Sequence, residues 1–211
     1  MEEPKERVRV VRVEEHNALT AVLDADYDAL YRFYILSGLR LREALLRKDQ
    51  IDFVLHTIEV RRKGGKIVTL PITPAMESVL LECWDDHPEW VLTYVAERTR
   101  DGRKKGERYP ITASGWKTYW RRRRAEAVKA GCTSLISTDR KTNLRIHDLR
   151  HTFGTNLQMA TGDVRLTQRG LAHSKVETTE KYTHVFDDKL YLGMTTAEKK
   201  HYLPGLARKS T

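Results

Sequence analysis

Cysteine, long apolar runs and phosphate-cradling loops are all but missing from this sequence, and each shortage closes off a class of function. The two cysteines, Cys83 and Cys132, lie far apart and match no metal-binding or redox spacing, so a reducing cytosol is the natural compartment. No stretch approaches the ~20 apolar residues that a membrane helix needs, and the N-terminal MEEPKERVRVV is charged where a secretory leader would be apolar. No Walker-type glycine loop is present, so ATP is not expected to be used. Asp24, Asp26 and Asp28 mimic the start of a calcium loop, but its sixth position holds Ala29 where glycine is required. His147 and His151 have the i, i+4 spacing of zinc ligands, and His173 and His184 could join them. A zinc helix of the HEXXH type nevertheless needs glutamate where Asp148 stands. Neither a cofactor nor a metal is expected.

What the sequence does have is basic charge. Its 38 lysines and arginines exceed its 29 acids for a net charge of +9, a balance that favours a polyanion because cations gain by releasing phosphate counterions. Solubility alone would explain the same number, so charge by itself leaves the matter even. The 211 residues are enough for one sizeable domain, and 40% apolar content supports an ordinary core. There are no internal repeats and no low-complexity block.

Residues 1–20 read as a lead-in: Val8, Val10 and Val13 suggest a short strand, and Glu14 to Asn17 a linker. From Asp24 the period is helical, with Tyr27, Leu30, Tyr31, Tyr34 and Ile35 on one stripe and the acids at a helix N-terminus. Gly38 ends that helix and RLREALLRKDQI begins another, placing Arg40 beside free backbone N–H groups that favour an anion. Pairing of Arg40 with Glu43 is the plain alternative. Thr57 to Thr73 alternates as two strands around Lys63-Gly64-Gly65-Lys66, a β-hairpin. Thr73 and Pro74 then supply a cap and first position for a helix carrying Met76, Val79, Leu80, Cys83 and Trp84. Tyr94 to Tyr109 reads as a flexible basic loop, and 110–131 as a helix with Trp116 and Trp120 one turn apart. Arg121 to Arg124 circle that helix, so at most two can face one partner, either nucleic acid or solvent.

The most telling stretch runs from Arg145 to Val185. In HDLRHTFGTNL, a helical period puts His147, Arg150 and His151 within an arc of roughly 100°, beside an apolar stripe of Ile146, Leu149, Phe153 and Leu157. About thirty residues on come LAHS, with His173, and TTEKYTHV, with Tyr182. The chain here resembles the tyrosine recombinases, the phage-type integrases, marked by Arg, Lys, His-x-x-Arg, His or Trp, and Tyr in that order. Arg40 in SGLRLREAL, Lys63 in RRKGGK, His147 and Arg150 in HDLRHT, His173 in LAHS and Tyr182 in TTEKYTHV fill the pattern. The family commonly has glycine before the second histidine, where this chain has Ala172. Lys66 is a rival for the lysine, and Arg42 for the first arginine.

The resemblance implies an α+β fold, mostly helical with a small antiparallel sheet, over residues 21–185. It implies a metal- and ATP-independent DNA strand transferase, with Tyr182 as nucleophile and Arg40 and Arg150 on the phosphate. Lys63 is implied as general acid, His147 in proton transfer and His173 as a donor to phosphate. Partners would be double-stranded DNA and further protomers, in a tetrameric synapse, with the protein cytoplasmic and on the nucleoid. In that family a DNA-clamping domain precedes the catalytic one; here the chain is either an excised catalytic domain or one that never had the clamp. Residues 186–211 are expected to be a tail with a Thr195–Glu198 capping box, docking on a neighbouring protomer, folding back in cis or staying disordered.

Overall fold

The computed structural model describes residues 9–62, 65–136, 143–171 and 188–200. Its centre is α2 (Ala25–Ser37), in which every residue from Asp28 to Ser37 is buried. A helix enclosed on all faces needs layers on more than one side. Here α3 (Pro74–Glu82) and α5 (Ile146–Thr161) pack against it. On α5 the expected stripe is the inner face, with Leu149, Phe153 and Leu157 buried. The two further helices α6 (Val164–Gly170) and α7 (Asp188–Lys200) pack on α5 and on each other.

Three strands, β1 (Ile51–Asp52), β2 (Thr57–Arg61) and β3 (Ile67–Pro71), form an antiparallel sheet in that order. Its register pairs Ile58 with Leu70 and Val60 with Val68, so the alternation read from the sequence buries one face. Thr73 caps α3 as expected, its hydroxyl accepting the Met76 N–H at 3.3 Å. The helix α4 (Ala113–Lys129) buries Trp116, Tyr119 and Trp120, and Tyr119 stacks on Tyr27 at 3.7 Å between ring centres. The fold is thus α+β, mostly helical with small antiparallel sheets.

Several local expectations are corrected. The lead-in is not a strand and linker: Val13–Thr20 is a helix, α1, and Val13 is exposed. Glu15 and His16 within it are fully buried because Arg9 meets the Glu15 carboxylate at 2.5 Å and the Tyr31 hydroxyl lies 3.0 Å from His16 Nδ1. The segment after Gly38 makes only one helical turn, with Glu43 and Ala44 N–H groups donating to the Arg40 carbonyl. The basic loop is framed by strands β4 (Thr93–Val95) and β5 (Arg108–Pro110). Thr195 does not start a helix but lies inside α7, its hydroxyl donating back to the Tyr191 and Leu192 carbonyls. That helix folds back within the same chain, burying Leu190 and Met194 and leaving Leu192 exposed.

Candidate active site

The C-terminal end of α2, the N-terminal half of α5 and the end of β2 meet around one carboxylate. Gly38 makes the meeting possible. It closes α2 in the left-handed region, at φ 60°, and a Cβ there would stand 2.1 Å from the Phe153 ring of α5. Its carbonyl is thereby offered to α5, where Arg150 Nη1 donates to it at 2.5 Å. Arg150 Nη2 donates to the Leu171 carbonyl at the end of α6. Gly154 allows that second approach, since a Cβ on it would meet the Leu171 side chain at 2.9 Å.

Arg150 is therefore no surface cation: 3% of it is exposed. Burial, with Arg40 and Arg62 nearby, holds its pKa down at about 10, so it stays charged at neutral pH. The two bonds to carbonyls use two of a guanidinium's five N–H donors.

Arg40 stands at the rim with half of its side chain exposed. Glu43 holds it twice, accepting its backbone N–H at 2.9 Å and its Nη1 at 3.2 Å. The pairing weighed as the plain alternative thus exists, and it exists inside the cluster. Arg62, at the end of β2, donates from Nη2 to the same carboxylate at 3.1 Å. Burial and the proximity of Arg40 lower the Arg62 pKa. Beneath them lies the Tyr34 phenol, pushed up to about 12 mainly by burial.

His147 is exposed on the outer side of α5, its ring edge-to-face with His151 at 4.7 Å. Partial burial, then His151 and Arg150, hold its pKa below the ordinary histidine value, so it is neutral at pH 7. Asp148 is buried and accepts the Arg145 N–H at 2.7 Å, fixing the start of α5. Among the described residues no three His, Cys, Asp or Glu side chains converge as metal ligands would.

Of the six residues expected, the structure brings Arg40, His147 and Arg150 together. Lys63, His173 and Tyr182 lie outside the described residues, as does the rival ligand His184. Described neighbours bracket two of them: Arg62 precedes Lys63, and Leu171 stands two residues before His173. Glu43 as the hub and Arg62 as a third guanidinium were not anticipated. A sequence signal existed for Arg62, which shares strand parity with the buried Ile58 and Val60.

Residues 9–189 match the model of the phage integrase family. The chain belongs to the phage integrase family. It is 31% identical over 158 residues to tyrosine recombinase XerC of Pseudomonas aeruginosa, covering 74% of this chain and 46% of that protein. To tyrosine recombinase XerD of Lacticaseibacillus casei it is 25% identical over 169 residues, 77% of this chain and 51% of the other. It thus spans about half the length of the curated relatives it matches. Among solved structures, the integrase from mycobacterium phage Brujita superposes with a TM-score of 0.59 at 21% identity, over 93% of this chain and 60% of that one. A lambda integrase dimer bound to a COC′ core site gives 0.59 at 15% identity, over 85% and 64%. These integrase structures share its fold.

Proposed function

We propose that this phage integrase family member is a site-specific recombinase that cuts and rejoins DNA through a 3′-phosphotyrosyl link. The observation that carries the reading is the excess of guanidinium over carboxylate among the described residues at the junction of α2, α5 and β2, an arrangement suited to a doubly charged phosphorane. A phenol of pKa about 10 is only about a thousandth ionised at pH 7, so Tyr182 needs its anion stabilised as it attacks phosphorus. Arg40 and Arg150 stabilise the charge that builds on the non-bridging oxygens. At about 4 Å and an effective dielectric near 20, each contact contributes on the order of 4 kcal/mol before desolvation is subtracted.

The phosphorus–O5′ bond breaks as the bond to the Tyr182 oxygen forms. Lys63 gives the departing oxygen its proton, and neutral His147 takes part in removing the one on Tyr182. His173 donates to a phosphate oxygen. The ester conserves the energy of the broken bond, so a 5′-hydroxyl from another strand reverses the step without ATP and without a metal. XerH bound to difH substrate and the lambda integrase dimer on its core site are the kind of complex in which this chain would work, with further copies of itself, on the nucleoid.

A duplex interrupted by a nick close to the cleaved phosphate traps the intermediate, because the short 5′-hydroxyl strand diffuses away. The wild-type chain is expected to leave a protein–DNA adduct that survives denaturation and EDTA. Tyr182→Phe should bind the same duplex and leave none. Adduct at wild-type level in that variant would overturn the reading.

A further inference from the structure

Arg62 and Glu43 remain without a role once the expected residues are assigned. Glu43 Oε1 accepts from Arg40 Nη1, while Oε2 is shared between the Arg40 backbone N–H and Arg62 Nη2. Arg62 has 8% of its side chain exposed and lies at the buried end of the parity row that runs through Ile58 and Val60. Its backbone closes the hairpin as well, the N–H donating to the Lys66 carbonyl at 2.8 Å and the carbonyl accepting from Gly65 at 3.0 Å. One residue therefore ties the hairpin turn to the guanidinium cluster.

The charges explain why a third arginine stands there. Among the described residues, Arg40 and Arg62 pair with the Glu43 carboxylate and Arg150 stands close enough to feel its charge, leaving two positive charges in excess. With Arg40 alone on Glu43, the carboxylate would neutralise the guanidinium that has to meet the phosphate. Arg62 takes part of that negative charge, so Arg40 can turn toward an anion without leaving a largely buried carboxylate unpaired.

We propose that Arg62 is a positioning residue of the strand-transfer site, sharing Glu43 so that Arg40 is released to the phosphate and the pocket keeps its excess charge. The inference deepens the strand-transfer reading and rests on it. Arg62→Gln leaves one excess charge, and Glu43→Gln added to it restores two. A residue that merely props the hairpin would gain nothing from the second change.

The test measures single-turnover adduct formation on the nicked duplex at saturating protein, with thermal melting of each variant in the presence and absence of orthovanadate, a phosphorane mimic. Arg62→Gln should slow the adduct step about 10- to 100-fold and lose most of the stabilisation by orthovanadate. Arg62→Lys should recover part of the rate, and the Arg62→Gln, Glu43→Gln pair should be at least about fivefold faster than Arg62→Gln alone. A double variant no faster than the single one overturns the inference, as does Arg62→Gln at the wild-type rate with orthovanadate stabilisation intact. If the wild-type chain forms no adduct but Arg62→Gln still abolishes the orthovanadate effect, the strand-transfer reading falls and the charge role of Arg62 stands. If the wild-type chain responds to neither, both fall.

Discussion

The two ends of α2 use the same residue type to opposite effect. Toward its start, guanidinium groups are matched by carboxylates. Arg123 lies against Asp24 at 2.7 Å and Glu126 at 2.8 Å, and Arg108 against Asp26 at 2.9 Å and Asp86 at 3.0 Å. Midway, the buried Arg32 has both Asp28 at 2.8 Å and Glu82 at 2.5 Å. Burial lowers the pKa values of Arg32 and Arg123, but their hydrogen bonds and ion pairs to these carboxylates outweigh it and raise them. Past its end, Arg40 and Arg62 share Glu43 with Arg150 close by, and the pKa values of Arg62 and Arg150 are lowered. Burial acts on both sets. What differs, among the described residues, is the supply of negative charge, and the proposed function has the missing anion arrive as the DNA phosphate.

That contrast can be broken by exchanging the two kinds of arginine. Arg150→Ala should lower adduct formation by about 10³-fold or more, because the lost charge serves the transition state. It should also cost about 1–3 kcal/mol in urea unfolding, since the Gly38 and Leu171 carbonyls lose their donor. Arg150→Lys keeps a charge without the fork, so its rate should stay well below wild type even where its stability recovers.

Arg32→Ala is the converse. Removing one partner of a buried ion pair should cost about 3–5 kcal/mol, while the rate per folded molecule is unchanged. Equal losses of rate and stability in both variants would erase the distinction between the two ends.

A smaller effect sharpens the cluster end. His147 is held below its ordinary pKa, so it keeps its neutral form to lower pH than a free histidine. The acid limb of the adduct rate should therefore lie below the usual histidine range, and His147→Gln should flatten it.

The smallest effect concerns a third place, where a partly buried carboxyl group has no ion pair among the described residues. Glu198 on α7 accepts from the Thr73 hydroxyl at 2.5 Å, and burial pushes its pKa from 4.5 to about 7. The folded state then binds that proton more tightly than the unfolded chain. Its contribution to stability is complete below about 4.5 and is lost as pH rises toward 7. Melting of Glu198→Gln should exceed that of wild type by a few degrees at pH 8, and the gap should close by pH 5.

Much of the fold was legible because its signals are local. The stripe of α5, the cap at Thr73 and the alternation of β2 and β3 each follow from the spacing of neighbouring residues. What escaped depends on partners distant in sequence. Glu15 and His16 look like a solvated run until Arg9 and Tyr31 enclose them. The hub was hidden in the same way, since Glu43 meets Arg62 across 19 positions and Arg150 meets the Gly38 carbonyl across 112. Motif order pointed to Arg40, His147 and Arg150, but it carried no information on burial. Only the fold makes Arg150 an interior group that braces two carbonyls.

In the proposed reaction the cation-rich end of α2 holds one phosphorus atom in line with the oxygen of Tyr182. Peptide mapping by mass spectrometry of the chain trapped on a nicked duplex tests it most directly. The expected product is a nucleotide carried through its 3′-phosphate on the peptide that contains Tyr182. A nucleotide attached to any other residue, or cleaved DNA with no protein attached, would contradict it.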